Sequence, residues 1–198
     1  MVDPLFSLES QRLYLSYFNP SNDTHCNLIV ALHNTPEFLA SNGPTSAQDL
    51  ESGRDLLKKR LPSNNPHGYG YYLISLKPPG KPDASLEESI PVGNITLLSM
   101  PPPQGYTAPD LGFAMLSAYM RKGIATEAAR MLLEYAEREK GLKDVLGMTD
   151  PKNEASRGVF VKLGFVDCGT HVLKAFGDVV GQVYVKKGMS EVVGDYGI

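Results

Sequence analysis

The chain has 198 residues, 42% of them hydrophobic, enough for one well-packed α/β domain, and no Gly-, Ser- or Pro-rich linker parts it into two halves with cores of their own. A formal net charge of −3 argues against general nucleic-acid binding, which draws on a basic excess, and no run approaches the ~20 apolar residues of a membrane span. Cys26 and Cys168 match no metal or redox spacing, and the first residues, with Asp3 and Pro4, lack the cationic and apolar run of a signal peptide; free thiols in a reducing, cytoplasmic setting are the expectation, with no metal.

In chain order, Arg12 to Tyr17 alternates as a first strand and is closed by Asn19-Pro20. Ser21 to Asp23 can cap a helix running to about His33, and Thr45 or Ser46 a second ending near Arg60, with Ala40 to Pro44 as a loop between them. Leu61 to Gly70 is Pro- and Asn-rich and reads as a flexible lead into the strand Tyr71 to Leu76. Lys77 to Ser89 reads as an exposed hairpin loop, Ile90 to Met100 as a strand, and Pro101 to Gly105 as an exposed spacer. Pro109 to Leu116 is the next strand. From Gly123 to Lys140 the period is helical, with Ile124, Ala128, Met131, Leu132 and Tyr135 on one face, and Gly141 is placed to end the helix in the left-handed conformation. Asp144 to Met148 is a short strand. Asn153 to Leu163 is a helix with Ala155, Val159 and Leu163 on one face, closed by Gly164, and strands follow from Phe165, including Val179 to Lys186. The expected class is a mixed α/β layer: one domain over residues 1–188, then a mobile tail, 189–198.

The stretch richest in chemistry is Met120-Arg121-Lys122-Gly123-Ile124-Ala125-Thr126, between a strand and an amphipathic helix. A helix start presents unpaired N–H groups and partial positive charge, which suits a phosphate, and Gly123 lets the backbone come close. No acidic residue occurs between Ala118 and Thr126. The lysine-and-serine P-loop and the three-glycine dinucleotide fingerprint are both absent, and a basic turn without a ligand is the plainer alternative.

These residues resemble the GNAT acetyltransferase superfamily, in particular its RimJ/RimL-like branch, from Leu8-Glu9-Ser10-Gln11-Arg12-Leu13 to about Lys186. The strongest stretches are Asp110 to Arg130 and, in the expected order after it, Asn153-Glu154-Ala155-Ser156 followed by Lys162-Leu163-Gly164-Phe165. The resemblance implies the acyl-CoA N-acyltransferase fold, a mostly antiparallel central sheet flanked by helices. Acetyl-CoA would lie between two splayed parallel strands, Leu111–Leu116 and Val145–Met148. Backbone groups of Phe113, Ala114, Met115 and Leu116 would pair with the pantetheine, and Arg121, Lys122, Gly123, Ile124, Ala125 and Thr126 would hold the diphosphate. Met120 departs from the family signature, where Gln or Arg is usual, and Ala125 is an accepted variant. For Lys122, a solvated surface role stands beside phosphate binding.

In relatives the residue matching Asn153 hydrogen-bonds the pantetheine; Asn is also among the best helix N-caps, and the two roles are compatible. Phe160 stands in the cofactor region where many relatives carry a tyrosine that protonates the leaving thiolate, a proton that phenylalanine lacks. Ser156 is then the nearest hydroxyl for that role, with plain capping as its alternative. The family works by direct attack in a ternary complex. Asp110, at the start of the central strand, is the candidate base, and a structural role is the alternative. Glu127 suits the helix dipole better than catalysis. At neutral pH an α-amine of pKa ~7.7–8.0 is roughly a tenth free, whereas a lysine side chain near ~10.4 is less than about a thousandth free. A weakly marked base therefore favours a peptide N-terminus or a small amine as acceptor. His67, Tyr69, Tyr71 and Tyr72 fall on the acceptor side by analogy, with ordinary packing as the alternative for the tyrosines. The expected assembly is a monomer or weak homodimer. A rival function is a non-catalytic CoA-binding or regulatory protein of the same fold, to which Phe160 and Met120 point.

Overall fold

The computed structural model describes residues 6–61, 69–99 and 105–198. Its elements are β1 (Ser7–Glu9), β2 (Leu13–Tyr17), α1 (Asp23–His33), α2 (Pro36–Asn42), α3 (Leu50–Arg60), β3 (Tyr71–Leu76) and β4 (Ile90–Leu98). They continue with β5 (Asp110–Met115), α4 (Ile124–Lys140), β6 (Leu146–Thr149), α5 (Glu154–Leu163), β7 (Val166–Leu173) and β8 (Val179–Val185). The strands form one mixed sheet in the order β1-β2-β3-β4-β5-β6-β8-β7. β5 and β6 pair in parallel, with Asp110 opposite Leu146, whereas β1–β2, β2–β3, β3–β4, β6–β8 and β7–β8 are antiparallel. This is the mixed, mostly antiparallel sheet with flanking helices expected from the sequence. By its internal contacts the chain divides into two compact units, Met1–Thr96 with Phe113–Leu132, and Leu97–Gly112 with Leu133–Ile198.

In the first unit the alternation of β2 sends Leu13 and Leu15 to one face, in register with Leu76 and Ile74 of β3. The other face carries Leu73, which packs with Phe18, Cys26, Ile29 and Leu32 around α1 and with Leu57 of α3. α1 and α3 approach closely because α3 carries Gly53; a Cβ there would lie 2.9 Å from the Cys26 carbonyl oxygen. Three expectations are corrected here. Leu8 belongs to a short strand, β1, paired to β2. The segment Ala40 to Pro44 is not simply a loop, since α2 runs through Asn42, with Thr35 capping the Phe38 N–H and Pro36 in the first turn. The cap of α3 is Asp49, in a reciprocal box with Ser52, rather than Thr45 or Ser46. Thr45 instead meets Nδ1 of the buried His33 at 3.1 Å. The connection after β3 is not wholly exposed either: Lys77 is buried, donating to Glu9 at 2.5 Å and to the Pro82 carbonyl at 2.7 Å.

The second unit is built on Leu146, Val183 and Val185, with Tyr106, Ala108 and Leu173. Val193 and Tyr196 join the same cluster from a 3-10 turn, and the Thr107 N–H donates to the Tyr196 carbonyl at 3.2 Å. The segment 189–198 is therefore packed rather than the mobile tail expected; Met189, Val193 and Ile198 and the Tyr196 phenol, which donates to the Ser190 carbonyl, hold it. On α5 the buried residue is Phe160, while Ala155, expected on the inner face, is exposed. The predicted terminators hold, with Gly141 at φ 65° and Gly164 at φ 78°.

Candidate active site

The first unit contains the basic turn. After β5 the chain makes a 3-10 turn, Ser117–Tyr119, then passes through Arg121 at φ 59° and Gly123 at φ 76° before α4 begins. A non-glycine residue in the left-handed region is held at a cost, and such residues collect at binding sites. The first bond of the helical ladder runs from the Glu127 N–H to the Gly123 carbonyl, 3.0 Å. The N–H groups of Ile124, Ala125 and Thr126 therefore precede the ladder, and Gly123 brings no side-chain oxygen to cap them. Arg121, Lys122 and Gly123 are exposed, whereas the side chains of Ile124 and Thr126 are buried, so these two can serve a ligand through their backbone. The Lys122 ammonium lies 5.5 Å from the centre of the Tyr119 ring.

A third cation, which sequence inspection missed, stands at the same turn. Arg12, just before β2, donates from Nε and Nη2 to Oε2 of Glu127 at 2.8 and 2.5 Å, and from Nη1 to the Lys122 carbonyl at 3.3 Å. Ser10 Oγ donates to the other Glu127 oxygen at 2.7 Å. Glu127 is thus a braced, neutralised carboxylate and not an available base. No local signal could reveal this, because the partners stand 115 positions apart.

The expected pantetheine backbone contacts on β5 contract. The Leu116 N–H donates to the Val92 carbonyl on β4 at 3.0 Å, and the Leu116 carbonyl accepts from Tyr119 at 2.8 Å. A Cβ on Gly93 would lie 2.6 Å from the Ala114 carbonyl oxygen, so that group also faces β4. Hydrogen-bonding directions alternate along a strand, so Phe113 and Met115 turn their N–H and C=O groups away from β4. Of the four residues, these two direct their backbone groups to the side of β5 away from β4. On the expected acceptor side, His67 lies outside the described residues. Tyr69 is buried, and Tyr72 is fully buried with its ring 5.7 Å from those of Phe6 and Tyr17, which is packing.

The second unit contains the remaining candidates. Asp110 is half-buried at the first position of β5. Burial first, and the charge of Asp110 as well, raise the Tyr106 phenol above its ordinary pKa. Asn153 caps α5, its side chain accepting the Ser156 N–H at 3.0 Å. The Ser156 hydroxyl is part-exposed and makes no hydrogen bond among the described residues; none links it to Asp110. Phe160 corrects an expectation: it is 1% exposed, stacked on Tyr184 at 4.9 Å and pressed on β6, where a Cβ on Gly147 would be 2.2 Å from its ring. Its ring is consumed by the core and offers no face to a cofactor. The hydroxyl of Tyr184 accepts from Arg157 Nε at 3.4 Å. Burial pushes the thiols of Cys26 and Cys168 up in pKa, the reverse of what a nucleophilic thiolate needs.

Residues 12–166 match the family model described as the acetyltransferase (GNAT) domain, more than half of the chain. The chain belongs to the GNAT acetyltransferase family. It is accordingly an acetyl-CoA-dependent N-acetyltransferase. Solved structures share its fold. A GNAT-family acetyltransferase from Bacillus anthracis aligns with a TM-score of 0.69 at 19% identity, covering 94% of this chain and 99% of that one. The ribosomal-protein-S5-alanine acetyltransferase from Vibrio fischeri gives 0.65 at 18% identity, covering 93% and 99%. RimL, the ribosomal L7/L12 α-N-protein acetyltransferase solved with coenzyme A, gives 0.71 at 16% identity, covering 91% and 97%. No curated protein matches the chain. Among the described residues of this GNAT chain, no group of three or more His, Cys, Asp or Glu could hold a metal, and no helix is long and apolar enough to cross a membrane.

Proposed function

We propose that this GNAT enzyme acetylates a primary amine of low pKa, a peptide or protein N-terminus or a small amine, by direct attack on acetyl-CoA in a ternary complex. The carrying observation is the uncapped start of α4, where three backbone N–H groups precede the helical ladder beside Arg12, Arg121 and Lys122. A diphosphate there accepts hydrogen bonds from Ile124, Ala125 and Thr126 and meets local positive charge without a dedicated pocket of side chains. Arg12 completes the fit by neutralising Glu127, the one carboxylate of the first helical turn.

Phe113 and Met115 serve the pantetheine through their backbones, and Asn153 does so in addition to capping α5. In the transfer the amine lone pair attacks the thioester carbonyl carbon, a C–N bond forms, the C–S bond breaks, and the departing thiolate gains a proton. Ser156, whose hydroxyl is uncommitted, supplies that proton, and Asp110 takes the one the amine gives up, directly or through water. The titration of α-amines makes a single carboxylate sufficient. RimL and the S5-alanine enzyme, which share the fold, act by their names on ribosomal proteins, and RimL on an α-amine. On this reading residues 1–188 act as a single N-acetyltransferase domain.

Release of thiol from acetyl-CoA, followed across peptides with free α-amines, polyamines and small amines, tests this. Turnover with α-amine peptides above that with lysine side chains is expected. The buried Phe160 in place of a phenol favours one rival, a CoA-binding protein without transfer. Tight acetyl-CoA binding in calorimetry with no turnover on any amine would decide for that rival.

A further inference from the structure

We propose that Asn94 positions the acceptor: its side-chain carbonyl accepts a hydrogen bond from the N–H of the attacking amine. The inference rests on the acetyl-transfer reading above and assigns a residue to its acceptor half.

Asn94 lies in the middle of β4 and is 4% exposed, yet its Oδ1 has no hydrogen-bond partner. A buried amide oxygen without a partner carries its full desolvation cost, and most native structures do not leave one. Its surroundings do not satisfy it. In register across the sheet stand Ser16 on β2, Leu73 on β3 and Asn94 on β4, so Asn94 shares the face that Leu73 turns to the apolar cluster around α1 and α3. Ala114 of β5 and Leu116, just after it, pack on that cluster as well. Residues 114–116 run directly beside residues 92–93, as the Leu116–Val92 bond and the closeness of Ala114 and Met115 to Gly93 require. An orphan acceptor is thus held on the strand adjoining β5, the strand assigned to the pantetheine. All these residues belong to the first unit.

A carboxamide at this place suits one task. It cannot remove a proton near neutral pH, and it accepts readily from an N–H. It can therefore align a neutral amine, holding one N–H so that the lone pair meets the thioester carbon. As the C–N bond forms and the C–S bond breaks, the proton leaves to another group and the thiolate departs as the thiol. Such alignment acts through orientation. A site built around an acceptor oxygen also discriminates against nucleophiles with no N–H to give.

The test compares wild type with Asn94→Leu and Asn94→Ala, using a tetrapeptide with a free N-terminal amine as acceptor and calorimetry for acetyl-CoA. Expected are a loss of at least tenfold in kcat/KM for the peptide, an acetyl-CoA affinity unchanged within twofold, and a Tm for Asn94→Leu equal to or above wild type. A merely structural Asn94 would instead lower Tm and leave kcat/KM of the folded protein intact. Either variant with an unchanged kcat/KM overturns the assignment and leaves the residue a host for an internal water only. Wild type that binds acetyl-CoA but acetylates no amine also overturns it. Wild type that does not bind acetyl-CoA defeats instead the reading on which the assignment rests.

Discussion

Two helix starts in this molecule are treated in opposite ways. α5 begins on Asn153, whose side chain satisfies the Ser156 N–H at 3.0 Å, so that end is closed by the protein itself. α4 begins on Gly123, which has no side chain to close it, and is entered through Arg121 and Gly123 in the left-handed region. α1, α2 and α3 are closed like α5, by Asn22, Thr35 and Asp49. A cap ordinarily contributes ~1 kcal/mol, so an uncapped start on a 17-residue helix leaves that stabilisation unused. The contrast teaches where to look for a ligand. Donors left open beside a glycine and unopposed cations stand ready for an anion, whereas donors closed by an asparagine first serve the fold.

The sharpest way to break the contrast is Gly123→Asp. A carboxylate ~4 Å from a phosphate oxygen repels it by ~4 kcal/mol at an effective dielectric of 20, before screening. The left-handed φ of 76° adds strain of roughly 1–2 kcal/mol for any side chain. Calorimetry should show acetyl-CoA affinity falling on the order of a hundredfold. Gly123→Ala separates the two causes. Its Cβ would sit 3.7 Å from Arg12 Nη2, an ordinary contact, so stability should fall by about 1 kcal/mol with affinity kept within roughly threefold. Equal affinity loss in both variants would show that backbone geometry, not charge, governs the turn.

Next in size is Ser156→Ala. The cap bond uses the backbone N–H of residue 156, so alanine keeps α5 closed and deletes the hydroxyl alone. If that hydroxyl gives the leaving thiolate its proton, kcat should drop by about a hundredfold at unchanged acetyl-CoA affinity and Tm. An unchanged kcat would return Ser156 to the helix end as an ordinary residue.

Much of this contrast was legible in the sequence, and the reasons are local. The glycine turn, Asn153, Gly141 and Gly164 announce themselves because caps and terminators act over one helical turn. β3 has the bounds expected from the sequence for a similar reason, a mostly apolar and aromatic run fenced by Gly70 and the Pro78-Pro79 pair. What escaped depends on distance along the chain. Arg12 reaches Glu127 only through the tertiary fold. Phe160 fell on a cofactor position by analogy, yet the missing Cβ of Gly147 draws its ring into the core. Asn94 sits in a mostly apolar strand, where neither it nor Thr96 sets up a periodic signal. α2 was missed although Thr35-Pro36 is a helix start, because Gly43-Pro44 close by reads more loudly as a loop.

Asn153→Ala asks whether the closed start also serves the ligand. Loss of the cap should cost ~1 kcal/mol and lower Tm by about 2–4 °C. Asn153→Asp, which can accept the same N–H, should keep Tm. A rise of several-fold in the dissociation constant for acetyl-CoA in the alanine variant, beyond any change in Asp, would mark a second task for the amide. Equal affinities in all three would confine Asn153 to capping.

The smallest effect belongs to the brace at the open start. The Arg12–Glu127 pair is partly exposed, with 46% and 25% of the two side chains accessible, and such pairs contribute about 0–1 kcal/mol to stability. Its expected value lies elsewhere. Arg12→Ala removes one cation from the turn and leaves the Glu127 charge unopposed in the first turn of α4, where an incoming diphosphate would meet it. Affinity for acetyl-CoA should fall about three- to tenfold at low salt, with Tm nearly constant, and the loss should shrink as ionic strength rises. Adding Glu127→Gln to Arg12→Ala then decides between two roles for the arginine. Recovery of most of the affinity means that Arg12 works by silencing Glu127. No recovery means that its own charge attracts the phosphates. A cycle in which neither variant alters binding would show that the open backbone of α4 needs no help from the strand before it.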